Sequence, residues 1–359
     1  MIDSRCIIPQ YRHQEWPFAM APITETSPPT GERLIDRFGR VVSYVRISVT
    51  DRCDFRCVYC MEPDTQFVPR AQVLTLEELA QVARAFVELG VQKVRITGGE
   101  PLVRRNVVSL LQQIGELPGL RELVLTTNGS QLTKLAQPLQ RAGVKRINIS
   151  LDSLDAERFH RITRTGNLAD VLAGIDAARN AGFENLKINA VILKHRNHDE
   201  VVSLVRFAGE RGMDISFIEE MPLGVIADHD RAEAYYSSDQ IRRDLEAQFT
   251  LVPTPEQTGG PSRYFRVPEL GNKVGFISPH SHNFCEACNR VRVTAEGRLL
   301  LCLGQEHSVD LRRVLRQFPG EMVALKDAIR RSMEIKPRGH DFHVAAQPLI
   351  FRHMNATGG

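Results

Sequence analysis

From residue 41 to residue 221 the chain alternates short β-branched runs with segments of helical spacing. VVSYVRISV (41–49), VQKVRIT (91–97), LRELVLTTN (120–128), VKRINISLD (144–152), NLKINAVIL (185–193) and MDISFIEEM (213–221) read as strands. LEELAQVARAFVELG (76–90) has helical spacing and ends on Gly90; VLAGIDAARNAG (171–182) and DEVVSLVRFAGERG (199–212) read as further helices. Repeated βα units predict an α/β fold with a parallel sheet and right-handed crossovers. Six units are too few to close an eight-stranded barrel. An open, partial TIM barrel of (βα)6 type is therefore expected, with a doubly wound sheet as the competing arrangement.

Beyond about residue 225 the alternation breaks. Proline and glycine become frequent through PTPEQTGGPSRY, and short strands such as KVGFIS and RVRV surround a group of cysteines. Helices are expected near 308–317 and 321–333. The expected organisation is a flexible extension over 1–30, a barrel over 31–225, and a C-terminal α+β extension over 226–359 that closes the barrel mouth.

Composition adds mostly exclusions. The 359 residues are 42% hydrophobic and 25% charged, ordinary for a globular protein, and the formal charge of +3 argues for no nucleic-acid partner. No apolar run reaches membrane-span length. The first residues lack a secretory signal, and Asp3, Glu15 and Glu25 argue against a transit peptide, so a cytoplasmic location is expected. Met20 is an alternative start.

The chemistry is concentrated in cysteine. Cys6 stands alone; Cys53, Cys57 and Cys60 form one group, and Cys285, Cys288 and Cys302 a second. Disulfides are not expected in the cytoplasm, where close cysteines ligate metals or carry redox chemistry. C-x3-C-x2-C in DRCDFRCVYCMEP follows the first strand, the rim where βα barrels place catalytic loops. Three thiolates can hold three irons of a four-iron cluster and leave the fourth iron open. The amine and carboxylate of S-adenosylmethionine (SAM) can chelate that iron. A structural zinc site with a distant fourth ligand is the alternative. The second group, C-x2-C-x13-C, has His280, His282 and His307 nearby, so a zinc site of three cysteines and one histidine stays open there too.

The first triplet, with Tyr59 and the TGGEP segment (97–101), resembles the radical SAM superfamily. Adding the second triplet, its NRVR segment and the terminal diglycine, residues 34–359 resemble the molybdenum cofactor biosynthesis protein A family, the GTP 3′,8-cyclases. The tail departs from the family pattern, in that Thr357 makes the approach to the glycines more polar. The resemblance implies two [4Fe-4S] clusters, held by Cys53, Cys57 and Cys60 and by Cys285, Cys288 and Cys302. It implies a SAM site lined by Tyr59, Gly99, Ser150 and Met221. It implies GTP contacts from Arg46, Arg95, Thr126, Lys187, Arg290, Val291 and Arg292, with Arg290, Arg292, Gly358 and Gly359 taking part in catalysis beside the first triplet. The implied reaction converts GTP to 3′,8-cyclo-7,8-dihydroguanosine 5′-triphosphate for molybdenum cofactor biosynthesis. The resemblance also implies an electron donor and, for the later formation of cyclic pyranopterin, a downstream cyclic pyranopterin monophosphate synthase; a homodimer is the assembly to test.

The residues carry their own argument for an anion. Arg290 and Arg292 are two apart, so on a strand both face one side, with Val291 opposite and offering mainly its backbone. Arginine meets phosphate with a planar fork. Lys187 interrupts the apolar strand NLKINAVI. Two other readings remain: a peptide-modifying radical SAM protein, whose usual longer cysteine-rich tail is lacking, and a non-enzymatic zinc scaffold.

Overall fold

The computed structural model describes residues 33–342 and 350–358. The expected extension over 1–30, with Cys6 and Met20, lies outside the described residues, as does Gly359.

The alternation is realised as β1 (Tyr44–Ser48), α1 (Leu76–Glu88), β2 (Lys93–Thr97), α2 (Val107–Gly115), β3 (Glu122–Thr127) and α3 (Leu132–Arg141). It continues as β4 (Arg146–Ser150), α4 (Ala156–Thr163), α5 (Leu168–Asn180), β5 (Leu186–Val191), α6 (Val201–Glu210) and β6 (Asp214–Ile218). In α1 a capping box fixes the start: Thr75 Oγ1 accepts from the Glu78 amide at 3.1 Å, and the Glu78 carboxylate accepts from the Thr75 amide at 2.7 Å. Leu79, Val82, Ala83 and Phe86 then recur at helical spacing and are buried. Helices α2, α3 and α4 escape the sequence reading. The first begins after Asn106 in a left-handed conformation without a side-chain cap, and the second carries Pro138 in its interior, so their local signals are weak.

Strands β1 to β6 pair in parallel and in chain order. A doubly wound sheet would reverse that order, so the partial-barrel expectation is met.

The chain continues through α7 (Arg231–Ala234), α8 (Ser238–Glu246), β7 (Val252–Pro253), β8 (Arg263–Val267), β9 (Asn272–Ile277), β10 (Arg290–Val293), β11 (Arg298–Leu300) and β12 (Ser308–Asp310). It ends with α9 (Leu311–Gln317), α10 (Met322–Ser332) and α11 (Met354–Thr357). These later strands join the same sheet at both edges. β9 adds to β6 in parallel and carries β8 and β7; β10 adds to β1 in parallel and carries β11 and β12. The outermost strands, β12 and β7, do not pair with each other, so the sheet stays open. Residues 278–289 run from the end of β9 to the start of β10 and so cross from one arm of the sheet to the other.

Alternate residues divide the two faces of the strands. Val45, Ile47, Val94, Ile96, Ile147 and Ile149 belong to the hydrophobic core. Their neighbours Arg46, Arg95, Asn148 and Ser150 line a cavity instead. The cavity face is polar, unlike the apolar side-chain layers that usually fill a βα barrel.

Candidate active site

Parallel register sets inward side chains in rows. Arg46 on β1 pairs with Arg292 on β10 and with Arg95 on β2, so three guanidinium groups stand abreast on neighbouring strands. One row below, Tyr44 pairs with Arg290 and with Lys93. Further round, Thr126 pairs with Asn148, and Asn148 with Lys187. The Val291 side chain points into the hydrophobic core, as the alternation requires.

The cations are costly as they stand. Burial and the charges of Arg95 and Arg290 act against the charged form of Arg46, and the Tyr44 hydroxyl only partly offsets them, leaving its pKa at about 10. Burial, with Arg46 and Arg290 beside it, pushes Arg292 well down. Like charges abreast on a sheet repel, and a polyanion would relieve them. Tyr44 serves this group. Burial alone would raise its hydroxyl, but Arg95, Arg46 and Lys93 outweigh burial and bring it down to about 7. Arg95 is held from two sides, donating through Nε to the Tyr44 hydroxyl and through Nη1 to Thr126 Oγ1 at 2.7 Å. Lys187 Nζ donates to Ser216 Oγ and to the Tyr264 hydroxyl, both at 2.9 Å.

All six clustered cysteines line this one cavity, of about 260 Å3. Cys53, Cys57 and Cys60 follow the C-terminal end of β1. Cys285 and Cys288 precede the start of β10, and Cys302 follows β11, which runs antiparallel to β10. The two triplets therefore sit at opposite ends of the strand layer, with the arginine rows between them. Within the C-terminal segment expected to close the mouth, the second triplet is placed otherwise. Parallel addition of β10 to β1 puts the second triplet at the far end from the catalytic rim.

The first triplet lies on a loop braced by α4: the Arg56 and Val58 amides donate to the Thr163 and Ile162 carbonyls, each at 2.9 Å. Burial pushes the Cys60 thiol up to about 12 and raises Cys53 and Cys57 as well, so the thiolates need a cation to form. Tyr59 donates to Asp152 Oδ2 at 2.7 Å, and burial lifts the Asp152 carboxyl to about 6. Ser150 ends β4 and Met221 lies three residues beyond β6, rather than ending it; both line the cavity. Gly99 also lines it, yet a Cβ there would lie 2.4 Å from the Arg52 carbonyl oxygen. Its bareness thus lets TGGEP pack on the cysteine loop, a reason the sequence reading did not see.

At the second triplet, Arg40 Nη1 donates to the Cys285 carbonyl at 2.8 Å, and Lys336 Nζ approaches Cys288 Sγ at 3.5 Å. Burial raises Cys288, but Arg290 and Lys336 outweigh it and leave the thiol below its ordinary value. Two of the histidines that kept a zinc site open are engaged elsewhere. His280 Nε2 bonds the Glu220 carbonyl at 2.8 Å and His282 Nε2 bonds Asp239 at 2.9 Å; His307 is exposed. Among the described residues no three of His, Cys, Asp and Glu are grouped to hold a single metal ion. Each triplet presents three thiols to the cavity, the donor set of a four-iron cluster with one iron left open, and both triplets fit one in that respect.

The tail enters the rim end of the cavity. The Met354 amide donates to the Cys60 carbonyl at 3.2 Å, and Asn355 Nδ2 to the Asp51 carbonyl at 3.0 Å. Arg292 donates to the Gly358 carbonyl. Gly358 has φ +76°, and a Cβ there would lie 2.5 Å from Thr97 Oγ1.

Sequence reasoning missed Tyr44, Lys93, Lys336 and Glu219. The first two were findable, since each lies two residues before a singled-out arginine on the same strand face. Glu219, fully buried, accepts from the Ser238 amide at 2.8 Å and the His280 amide at 3.0 Å, tying β6 to the segment that leads into the second triplet. No local pattern marks Glu219 or Lys336.

Comparison with known proteins bears on this geometry. The family model of the radical SAM superfamily matches residues 47–208, and that of Molybdenum Cofactor Synthesis C matches residues 213–342. A relative named GTP 3′,8-cyclase from Pseudomonas entomophila (strain L48) is 63% identical over 329 residues, covering 91% of this chain and 98% of its own. A relative of the same name from Marinobacter nauticus is 59% identical over 327 residues, covering 91% and 99%. Among solved structures, Streptococcus suis SuiB bound to S-adenosylmethionine matches with a TM-score of 0.60 over 89% of this chain and 79% of its own, at 16% identity. At that identity the likeness speaks for the fold alone.

Proposed function

Because this chain belongs to the GTP 3′,8-cyclase family of radical SAM enzymes, we propose that its two cysteine triplets serve one reaction from opposite ends of a single cavity. That reaction is the cyclisation of GTP to 3′,8-cyclo-7,8-dihydroguanosine 5′-triphosphate, a lyase step in molybdenum cofactor biosynthesis that uses SAM and [4Fe-4S] clusters. A non-enzymatic zinc scaffold is set aside by this membership, and so is a peptide-modifying enzyme.

When bound, the clusters and SAM supply the electron and the 5′-deoxyadenosyl radical that removes the 3′ hydrogen of GTP. The chain's own residues bind, orient and enclose. Cys53, Cys57 and Cys60 hold the cluster on the SAM side, where Tyr59, fixed by Asp152, lines the SAM site with Gly99, Ser150 and Met221. Cys285, Cys288 and Cys302 would hold the second cluster, which would serve the binding of GTP through its purine. Arg46, Arg95, Arg290 and Arg292 receive the negative charge of GTP, Tyr44 and Thr126 keep Arg95 aimed, and Lys187 approaches from β5. Val291 offers its backbone. Gly358 lies at the rim, where a Cβ would meet Thr97, and Gly358 and Gly359 take part in catalysis on the family resemblance. Enclosure keeps water from a reactive carbon radical.

The row Arg292–Arg46–Arg95, set between two thiol groups, carries this assignment. The boundary near residue 225 is on this reading a division of labour within one sheet. We place the enzyme in the cytoplasm, supplied by an electron donor and followed by a cyclic pyranopterin monophosphate synthase. No helix among the described residues is long and apolar enough to cross a membrane. The test is anaerobic incubation of the reconstituted protein with SAM, reductant and GTP. Two iron clusters per chain and the cyclised nucleotide are expected; SAM cleavage with no GTP-derived product would overturn the site assignment.

A further inference from the structure

The segment between β6 and α8 contains a buried charged group that the cavity's chemistry does not use. The Glu220 carboxylate, 4% exposed, meets His229 Nε2 with both oxygens at 2.8 Å and Arg231 Nε at 3.0 Å. The rest of the Arg231 fork turns back on the loop: Nη1 donates to the Gly224 carbonyl at 2.8 Å and Nη2 to the Leu223 carbonyl at 2.6 Å. One guanidinium thereby shapes residues 220–224 around itself. Toward the tail this loop presents backbone. The Gly224 amide donates to the Ile350 carbonyl at 2.8 Å, and Leu223 pairs with Ile350 in a parallel bridge. Gly224 has φ +67°, and a Cβ on it would come within 2.8 Å of the His353 ring. A residue with a side chain would both resist that backbone and push the ring away.

Tail residues 354–358 cannot hold this place alone, because α11 spans only Met354–Thr357 and so short a helix is unstable by itself. Their position depends on anchors: Ile350 on Gly224, Arg352 on Glu306 and the Gln305 carbonyl, Met354 and Asn355 on the first cysteine loop, and Gly358 on Arg292. The anchor at Gly224 is the first that the tail meets after residue 349. A buried ion pair contributes little net stability compared with apolar packing. Its geometric consequence, a fixed pair of carbonyls and a fixed amide, is what distinguishes this one.

We propose that Glu220, His229 and Arg231 form a clasp that seats the C-terminal tail at the rim of the cavity, making them positioning residues for the cyclisation. The consequence for activity rests on the reading of the tail given above; the clasp itself does not. Without Arg231 the Leu223 and Gly224 carbonyls lose their donor, the loop no longer offers the Gly224 amide at a fixed point, and the tail swings from the cysteine loop.

Hydrogen exchange on the full-length, anaerobically prepared protein tests this directly. In Arg231→Ala, amides of residues 350–358 should exchange about tenfold faster or more, as expected when a local anchor is lost. Peptides from α1 and β2 should keep their protection. Unchanged exchange over 350–358 overturns the clasp. If Arg231→Ala also loosens α1, the nearly isosteric Glu220→Gln decides by the same readout. Cyclisation supplies a second arm. Arg231→Ala should reduce product about tenfold while SAM cleavage survives, and in protein lacking Gly358 and Gly359 it should add less than about twofold, since both changes act through one element. Losses that multiply fully would overturn action through the tail. If removing the two glycines leaves cyclisation unchanged, the tail reading fails, and the exchange result still decides the clasp.

Discussion

Arg292 donates a hydrogen bond to the carbonyl oxygen of Gly358, which joins the end of the chain to the strand carrying the arginine pair. The same Gly358 would, with a Cβ, come within 2.5 Å of Thr97 Oγ1 at the end of β2. Deleting Gly358 and Gly359 should therefore disturb the substrate side and spare the clusters. Loss of one charge-assisted contact is worth roughly 1.5–3 kcal/mol, or about 10- to 150-fold in product formation. Iron content and SAM binding should stay near wild type. Product analysis beside iron counting decides; full activity would make the tail an ordinary chain end.

Replacing Arg290 or Arg292 by Ala should weaken GTP binding by roughly 1.5–3 kcal/mol and leave SAM binding nearly unchanged. Both residues face the cavity, on a strand whose other side packs in the core. Anaerobic calorimetry with each ligand in turn separates the outcomes. Equal losses for the two ligands would mean a damaged fold.

The two triplets should be separable. Cys57→Ala should abolish reductive SAM cleavage. Cys288→Ala should remove GTP cyclisation while uncoupled SAM cleavage persists. Their placement at opposite ends of the strand layer is the reason. Quantifying 5′-deoxyadenosine and cyclised product in the same reaction is the check. A cyclising Cys288→Ala variant would contradict it.

Tyr44→Phe removes the acceptor of Arg95 Nε and keeps the ring. Arg95 would retain only its bond to Thr126. The KM for GTP should rise about fivefold, corresponding to roughly 1 kcal/mol, with little change in kcat or in thermal stability. A fall in kcat at constant KM would assign Tyr44 a different role.

Burial pushes the Glu100 carboxyl up to about 8, although the Asn128 and Leu102 amides and the Thr127 hydroxyl donate to it and partly offset that rise. Unfolded, it titrates near 4.5. Between those values the folded state holds the extra proton, so this contribution is complete below about 4.5 and is lost as pH rises through about 8. Glu100→Gln should cost about 1–3 kcal/mol, because its amide NH2 would face a donor, and should flatten that part of the pH dependence. Anaerobic denaturant unfolding of both proteins across this pH range measures the slope. An unchanged slope in the variant would locate the titrating group elsewhere.

What the sequence determined by itself was whatever rests on local pattern or covalent spacing. Period-two apolar runs between helical segments specified the six βα units. Cysteine spacing picked out both triplets. The two-residue step from Arg290 to Arg292 put both side chains on one face with Val291 opposite. Tertiary structure decided which strands became neighbours, and with that the meaning of these residues. Arg46, Arg95 and Arg292 lie far apart in the chain, and only parallel register sets them abreast. Sending the second triplet to the far end of the cavity depended on β10 joining β1 in parallel, a long-range pairing that no local signal encodes. The same holds for Glu219, Lys336 and the Glu220–Arg231 clasp. A buried charge looks in sequence like any surface charge, and its cost and its partners exist only once the chain has folded around it.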